Sequence, residues 1–110
     1  MIELTIFNFL KDRINVPVYM EKVEKPPTEW VFLEKISEYN DQRLRRVTVA
    51  VQSYSKSLYK TALLNELVIS HMEELTTLDS IGKCKLSSSY NYTDTQAKQY
   101  RYQAIFDVVY

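Results

Sequence analysis

Ile6, Leu10 and Ile14 fall four residues apart with Phe7 beside them, and this spacing predicts an amphipathic helix from Met1 to about Asn15. Ile2, Leu4 and Phe9 blur the stripe, and its start is placed near residue 3. Val16-Pro17 ends it, because proline disfavours helical geometry in the residue before it. From Val16 to Glu24, Val16, Val18 and Met20 alternate imperfectly with other residues, which reads as a short strand. Pro17 cannot donate to a ladder, so that strand belongs near a sheet edge. Lys25-Pro26-Pro27-Thr28 follows as a stiff linker.

Glu29 to Tyr39 is rich in aromatic and β-branched residues and predicts a strand. Asn40-Asp41-Gln42 reads as a polar turn. Arg45 to Tyr54 then carries Val47, Val49 and Val51 on one face and Thr48, Ala50 and Gln52 on the other, so the two segments form a hairpin. Ser55-Lys56-Ser57 offers an N-cap to a long helix over Lys56 to Thr77. Its stripe is Leu64, Val68, Met72 and Leu75, widened by Leu63, Leu67 and Leu78. Ser80 to Gln99 is polar and bears tyrosines, and reads as a long loop, with or without a short strand near Cys84 to Leu86. Tyr100 to Tyr110 closes the chain as a strand with Tyr100, Tyr102, Ala104, Phe106, Val108 and Tyr110 on one face. The order helix-strand-strand-strand-helix-strand predicts a single α+β domain over 1–110. Its mostly antiparallel sheet has three or four strands, with both helices packed on one face.

Composition narrows the function. Gly82 is the only glycine, where about eight are expected at roughly 7% usage. No GxGxxG or GxxxxGK loop can be written, so the usual phosphate cradles are excluded. One histidine and one cysteine fall short of an ordinary zinc ligand set, and no cofactor motif is present. A lone cysteine forbids an internal disulfide, as in cytoplasmic proteins. Lys plus Arg is 14 and Asp plus Glu is 14, with eight of each sign before residue 55 and six of each after it. A sequence-independent nucleic-acid binder needs a cationic surplus, and none exists in either half. No apolar run is long enough to span a membrane. The opening MIELTIFNFLKDRI has no basic n-region, so a cytosolic site of synthesis is expected.

Candidate chemistry is sparse. His71 lies one residue from the apolar stripe of the long helix and reads as a helix-surface or core-edge residue. Lys83 and Lys85 flank Cys84 and should lower its pKa, which keeps open a nucleophilic Cys84/His71 pair beside the inert-thiol reading. Glu73-Glu74 and Glu34/Glu38 read as solvated faces. Arg43, Arg45 and Arg46 cluster between the hairpin tip and its second strand, where with Asp41 they suit a salt-bridged, partner-facing loop. Nine of the 110 residues are tyrosine, five of them at or after Tyr90. Tyrosine combines large contact area with a polar tip and is enriched at protein interfaces. Tyr100 and Tyr102 are expected on the inner face of the last strand; Tyr90 and Tyr92, in a polar loop, are the interface candidates.

The N-terminal amphipathic helix, the segment VPVYMEKVEKPPTEWVFLEKI, the strand-to-helix passage VTVAVQSYSKSLYKTALLNELV and the ending YRYQAIFDVVY occur in a characteristic order. Over nearly the whole chain this layout resembles the small tail terminator (tail-to-head joining, or tail completion) proteins of long-tailed bacteriophages and prophages. The resemblance implies an α+β fold with helices against a mostly antiparallel sheet. It implies a homo-hexameric ring on the last ring of the tail tube, which stops tube polymerisation and docks the head connector. The partners are then the chain itself, the tail tube protein and the connector, and the location is the virion at the head–tail junction after assembly in the host cytoplasm. Phage DNA would pass through the ring without sequence-specific recognition. The family has no catalytic residues to carry over. The contact surfaces expected are the hairpin tip, Asn40 to Arg46, and the 80–99 segment. Two alternatives compete: another small head-completion or connector protein, and a small cytosolic enzyme or regulator using Cys84 and His71.

Overall fold

α1 spans Ile2–Lys11 and buries Ile2, Ile6, Phe9 and Leu10, one side of the stripe. The computed structural model describes residues 1–41 and 43–110. α1 stops short of the expected Asn15. The Asp12 N–H donates to the Asn8 carbonyl at 3.2 Å and the Ile14 N–H to the Leu10 carbonyl at 3.0 Å, so Ile14 enters the core just after the helix. The expected strand from Val16 to Glu24 shrinks to β1, Val18–Tyr19. It runs parallel to β2 (Trp30–Asp41), with Val18 opposite Val31.

β2 and β3 (Leu44–Tyr54) form the expected hairpin, with Trp30 opposite Tyr54 and Asp41 opposite Leu44. Asn40 and Asp41 are therefore the last residues of β2 rather than turn residues, and Gln42 lies outside the described residues. α2 covers Leu58–Glu73, with the Ser57 hydroxyl accepting from the Lys60 N–H at 3.1 Å as its N-cap. A 3-10 turn, Glu74–Thr77, takes over the last residues of the expected long helix. Leu64, Val68, Met72 and Leu75 are buried, as their spacing predicts. Leu63 and Leu67 are not part of that stripe: they stay exposed on the outer side of α2, Leu63 at 52%.

The main departure lies after α2. The segment read as a loop, with or without a short strand near Cys84 to Leu86, contains the longer strand β4, Lys83–Asn91, which pairs antiparallel with β5 (Arg101–Val109) along its length. Among the described residues five strands result, not three or four, in the order β1-β2-β3-β5-β4. β3–β5 is also antiparallel, so the C-terminal strand lies inside the sheet. β4 escapes a periodicity reading because its alternation is faint. Only Cys84 and Leu86 turn partly inward, and Ser87 to Asn91 are exposed on either face. Its strand geometry is imposed by pairing with β5.

One face of the sheet carries both helices. Ile6, Leu10, Val31, Leu33, Val49, Val51, Val68, Met72, Phe106 and Val108 belong to one buried cluster, each apolar side chain contributing about 1.5–3 kcal/mol by leaving water. Tyr100 and Tyr102 do not join this core: Tyr100 precedes β5 and is exposed, and Tyr102 is half-buried. Beneath the first half of α2 the packing turns polar. Buried Asn65 donates to the Ser89 hydroxyl at 2.8 Å. The opposite face has a smaller aromatic core in which Trp30 stacks on Tyr54 at 4.2 Å and meets Tyr19 edge-on at 5.8 Å. Among the described residues no helix is long and apolar enough to cross a membrane.

Candidate functional site

The strand register fixes where each candidate residue lies. Arg46 is opposite Val109, while Tyr54 is opposite Arg101 and Asn91 opposite Tyr102. Arg43, Arg45 and Arg46 thus belong to one end of the sheet, and Tyr90 and Tyr92 to the other. The eight steps from Arg46 to Tyr54 correspond to about 27 Å at roughly 3.4 Å per residue. The structure does not join the five candidates into one site. It makes two.

At the hairpin end, Glu38 is the hub. Lys35 donates to Glu38 Oε2 at 3.0 Å, and the Tyr110 hydroxyl donates to Glu38 Oε1 at 2.7 Å. Arg45 Nη2 lies 3.6 Å from the same Oε1, with its guanidinium 5.0 Å from the centre of the Tyr110 ring. Glu3 of α1 closes the cluster on Lys35 at 3.3 Å. The hydrogen bond from Tyr110 and the lysine beside it hold the Glu38 carboxyl below its ordinary value. Burial and the Glu38 bond push the Tyr110 hydroxyl up. Arg45 is therefore tied into this cluster through Glu38. Arg43 is exposed in the turn. Arg46 faces the helix-free side of the sheet, where it lines a cavity of about 360 Å³ with Tyr39, Lys83, Lys85 and Asp107.

At the far end, Tyr90 (41% exposed) is on strand β4 and not in a loop. Tyr92 (43% exposed) follows directly after that strand. The two rings meet edge-on at 5.8 Å, and the Arg101 guanidinium sits 4.4 Å from the Tyr92 ring centre. A hydrogen-bonded chain crosses three strands to reach Tyr90. The Tyr54 hydroxyl donates to Gln52 at 2.6 Å, Gln52 Nε2 donates to Gln103 at 2.7 Å, and Gln103 Nε2 donates to the Tyr90 oxygen. The connection from Tyr92 to Tyr100 is locally pinned. Asn91 Oδ1 accepts from the Thr93 N–H at 3.0 Å, and Asp94 Oδ1 accepts from the Gln96 and Ala97 N–H groups, both at 3.1 Å. These asparagine and aspartate turns brace the tip with its own side chains.

Cys84 corrects an expectation. Alternation along β4 sends Cys84 to the helix side, against the core, while Lys85 on the other side of the strand lines the open cavity. Burial pushes the thiol up to about 11, aided by Glu73 and Asp107, so the flanking lysines do not lower it. His71 is half-buried on α2, and its Nδ1 is buried without a hydrogen-bond partner among the described residues. No group of three or more His, Cys, Asp or Glu side chains is disposed to hold a metal among the described residues. The Glu38 hub and the glutamine chain were not visible to spacing arguments, because both join residues from separate strands. The alternation of Gln52 and Gln103 opposite apolar neighbours was the only signal available for the second. The chain matches no family model, and no curated protein matches it.

Proposed function

We propose that this chain is a structural joint of a long-tailed phage particle, a tail terminator that caps the tube as a ring and offers the head connector a docking surface. The observation that carries the reading is the separation of two exposed contact clusters at opposite ends of a molecule 44 Å long. One is an arginine-rich hairpin end and the other a tyrosine-rich tip. A protein that must bind one assembly below and another above needs two such ends on a rigid spacer. Here the spacer is the four-strand antiparallel part of the sheet with its helices. The α+β architecture, with both helices on one face, agrees with what the resemblance implies. Exposed arginine and tyrosine are the side chains that anchor protein interfaces most often.

Tube growth tests this. Adding the chain to polymerising tail tube protein should arrest elongation at about one ring per tube end and shorten the tubes seen by electron microscopy. Arg45→Glu with Arg46→Glu, or Tyr90→Ser with Tyr92→Ser, should each abolish one contact, tube capping or connector docking, and leave the other intact. Tubes that grow to full length beside an excess of folded protein would end the terminator reading. Binding to isolated heads instead of tubes would move the protein to the head side of the junction.

A further inference from the structure

The sheet ends in two different free edges. β4 is paired on one side only, and seven of its nine residues are exposed. At the other border β1 covers just Val31 and Phe32 of β2, so among the described residues no strand lies beyond the nine residues from Leu33 to Asp41. An exposed edge of that length presents a row of unpaired N–H and C=O groups and is a template for another strand. We infer that copies of this chain associate edge to edge, β4 of one copy pairing antiparallel with the Leu33–Asp41 edge of the next. The number of copies rests on the ring reading above; the contact itself does not.

Three observations select a second copy of the chain as the occupant, and this pair of edges as the seam. The lengths match at nine residues each. The directions match too: β4 is antiparallel to β5, β5 to β3, and β3 to β2, so β4 and β2 run oppositely. A neighbour placed beside β4 in the same orientation therefore offers its β2 in the antiparallel sense. The charges are complementary as well. Lys83 and Lys85 are the only charged residues of β4, and both face the helix-free side. Glu34, opposite Ala50, faces that same side from β2. Pairing two β4 edges would instead gather four lysines and no carboxylate at one seam. Tyr39 (57% exposed) supplies apolar area along the β2 edge. Both edge strands are irregular beside the level of Val49 and its β5 partner Phe106, β2 between Lys35 and Ser37 on one side of it and β4 between Leu86 and Ser88 on the other. Joining unlike edges makes the contact heterologous, so each added copy leaves a new free edge until the array closes on itself.

Cross-linking tests the seam directly. In a Cys84→Ser background, Glu34→Cys with Ser88→Cys, and separately Ser37→Cys with Lys85→Cys, place cysteines at matched heights on the two edges. Within one copy these positions are three strand spacings apart, about 14 Å, far beyond disulfide reach, so every bond formed joins two copies. Mild oxidation should give a ladder of covalent multimers above the dimer. In sedimentation velocity, Lys85→Glu should weaken self-association at least about tenfold, Glu34→Lys likewise, and the double charge swap should restore it. Self-association that persists with no ladder and no response to the charge variants would overturn the edge contact and leave the ring standing. A strict monomer at the highest soluble concentration also overturns it. A ladder that builds open filaments or stops at two copies keeps the edge contact and removes the ring.

Discussion

Glu38 shows how far one residue's role is set by neighbours that spacing cannot reveal. Glu34 and Glu38 are four apart and would share a face of a regular strand. The irregularity between Lys35 and Ser37 puts Glu34 opposite Ala50 on the open side and Glu38 opposite Val47 on the helix side. From there Glu38 lies diagonal to Arg45 and meets Lys35 and Tyr110. Its pKa is held below 4.5, first by the Tyr110 hydroxyl and then by Lys35. A depressed carboxyl stabilises the fold above its unfolded value and loses that contribution as pH falls through the folded one. Glu38→Gln should therefore flatten the acid limb of a melting-temperature profile below about pH 4.5 and leave the shape of the profile near neutrality unchanged. Because the carboxylate is open to solvent, a small change in slope is expected. Tyr110 shifts the other way: its bond to Glu38 contributes below pH 10 and is lost as the hydroxyl ionises at higher pH.

Among the elements, α2 is the clearest case of a helix placed by tertiary packing and started by a local signal. Its outer side carries exposed Leu58, Tyr59, Leu63 and Leu67, so apolar residues nearly encircle it, and the width of the buried side is not set by the stripe alone. The sheet decides: Leu64, Val68 and Met72 meet β3 and β5, and Asn65 is buried with them through its bond to Ser89. The start, by contrast, was legible to within two residues: the helix expected from Lys56 begins at Leu58. Ser57 stands one residue before Leu58 in extended geometry, and its hydroxyl accepts from Lys60. The Ser57→Ala variant should lower unfolding stability by about 1 kcal/mol in urea titrations with no change in slope. A Ser57→Gly variant should lose only a few tenths of that order. β4 is the opposite case. Only Cys84 to Leu86 hinted at a strand; with serines at 87, 88 and 89 the rest has no intrinsic strand signature, and it is a strand because β5 lies beside it.

For the whole molecule, β5 is decisive. It joins β3 to β4 and brings Ala104, Phe106 and Val108, each fully buried, under α2. Removing Arg101–Tyr110 takes out an interior strand and leaves β4 without its partner. That truncation should abolish the cooperative thermal transition and the dispersed amide spectrum, whereas removing Tyr110 alone should not. The order β1-β2-β3-β5-β4 also means that the hairpin can form early, while the pairing of β3 with β5 must close about fifty residues of intervening chain. Folding on the millisecond-to-second scale of sheet-dominated domains follows.

The sequence by itself determined the elements whose own side chains alternate or repeat strongly: α1, the β2–β3 hairpin, α2 and β5, and with them the α+β class. Local periodicity reports burial on one face, and that information is carried within each segment. Tertiary structure alone decided the rest. It shortened β1 to two residues, made a strand of the serine-rich segment and turned Cys84 toward the core. It also sent the arginine and tyrosine candidates to opposite ends of one sheet. Each of those outcomes depends on pairing register and strand order, which link residues tens of positions apart and leave no periodic trace in the chain.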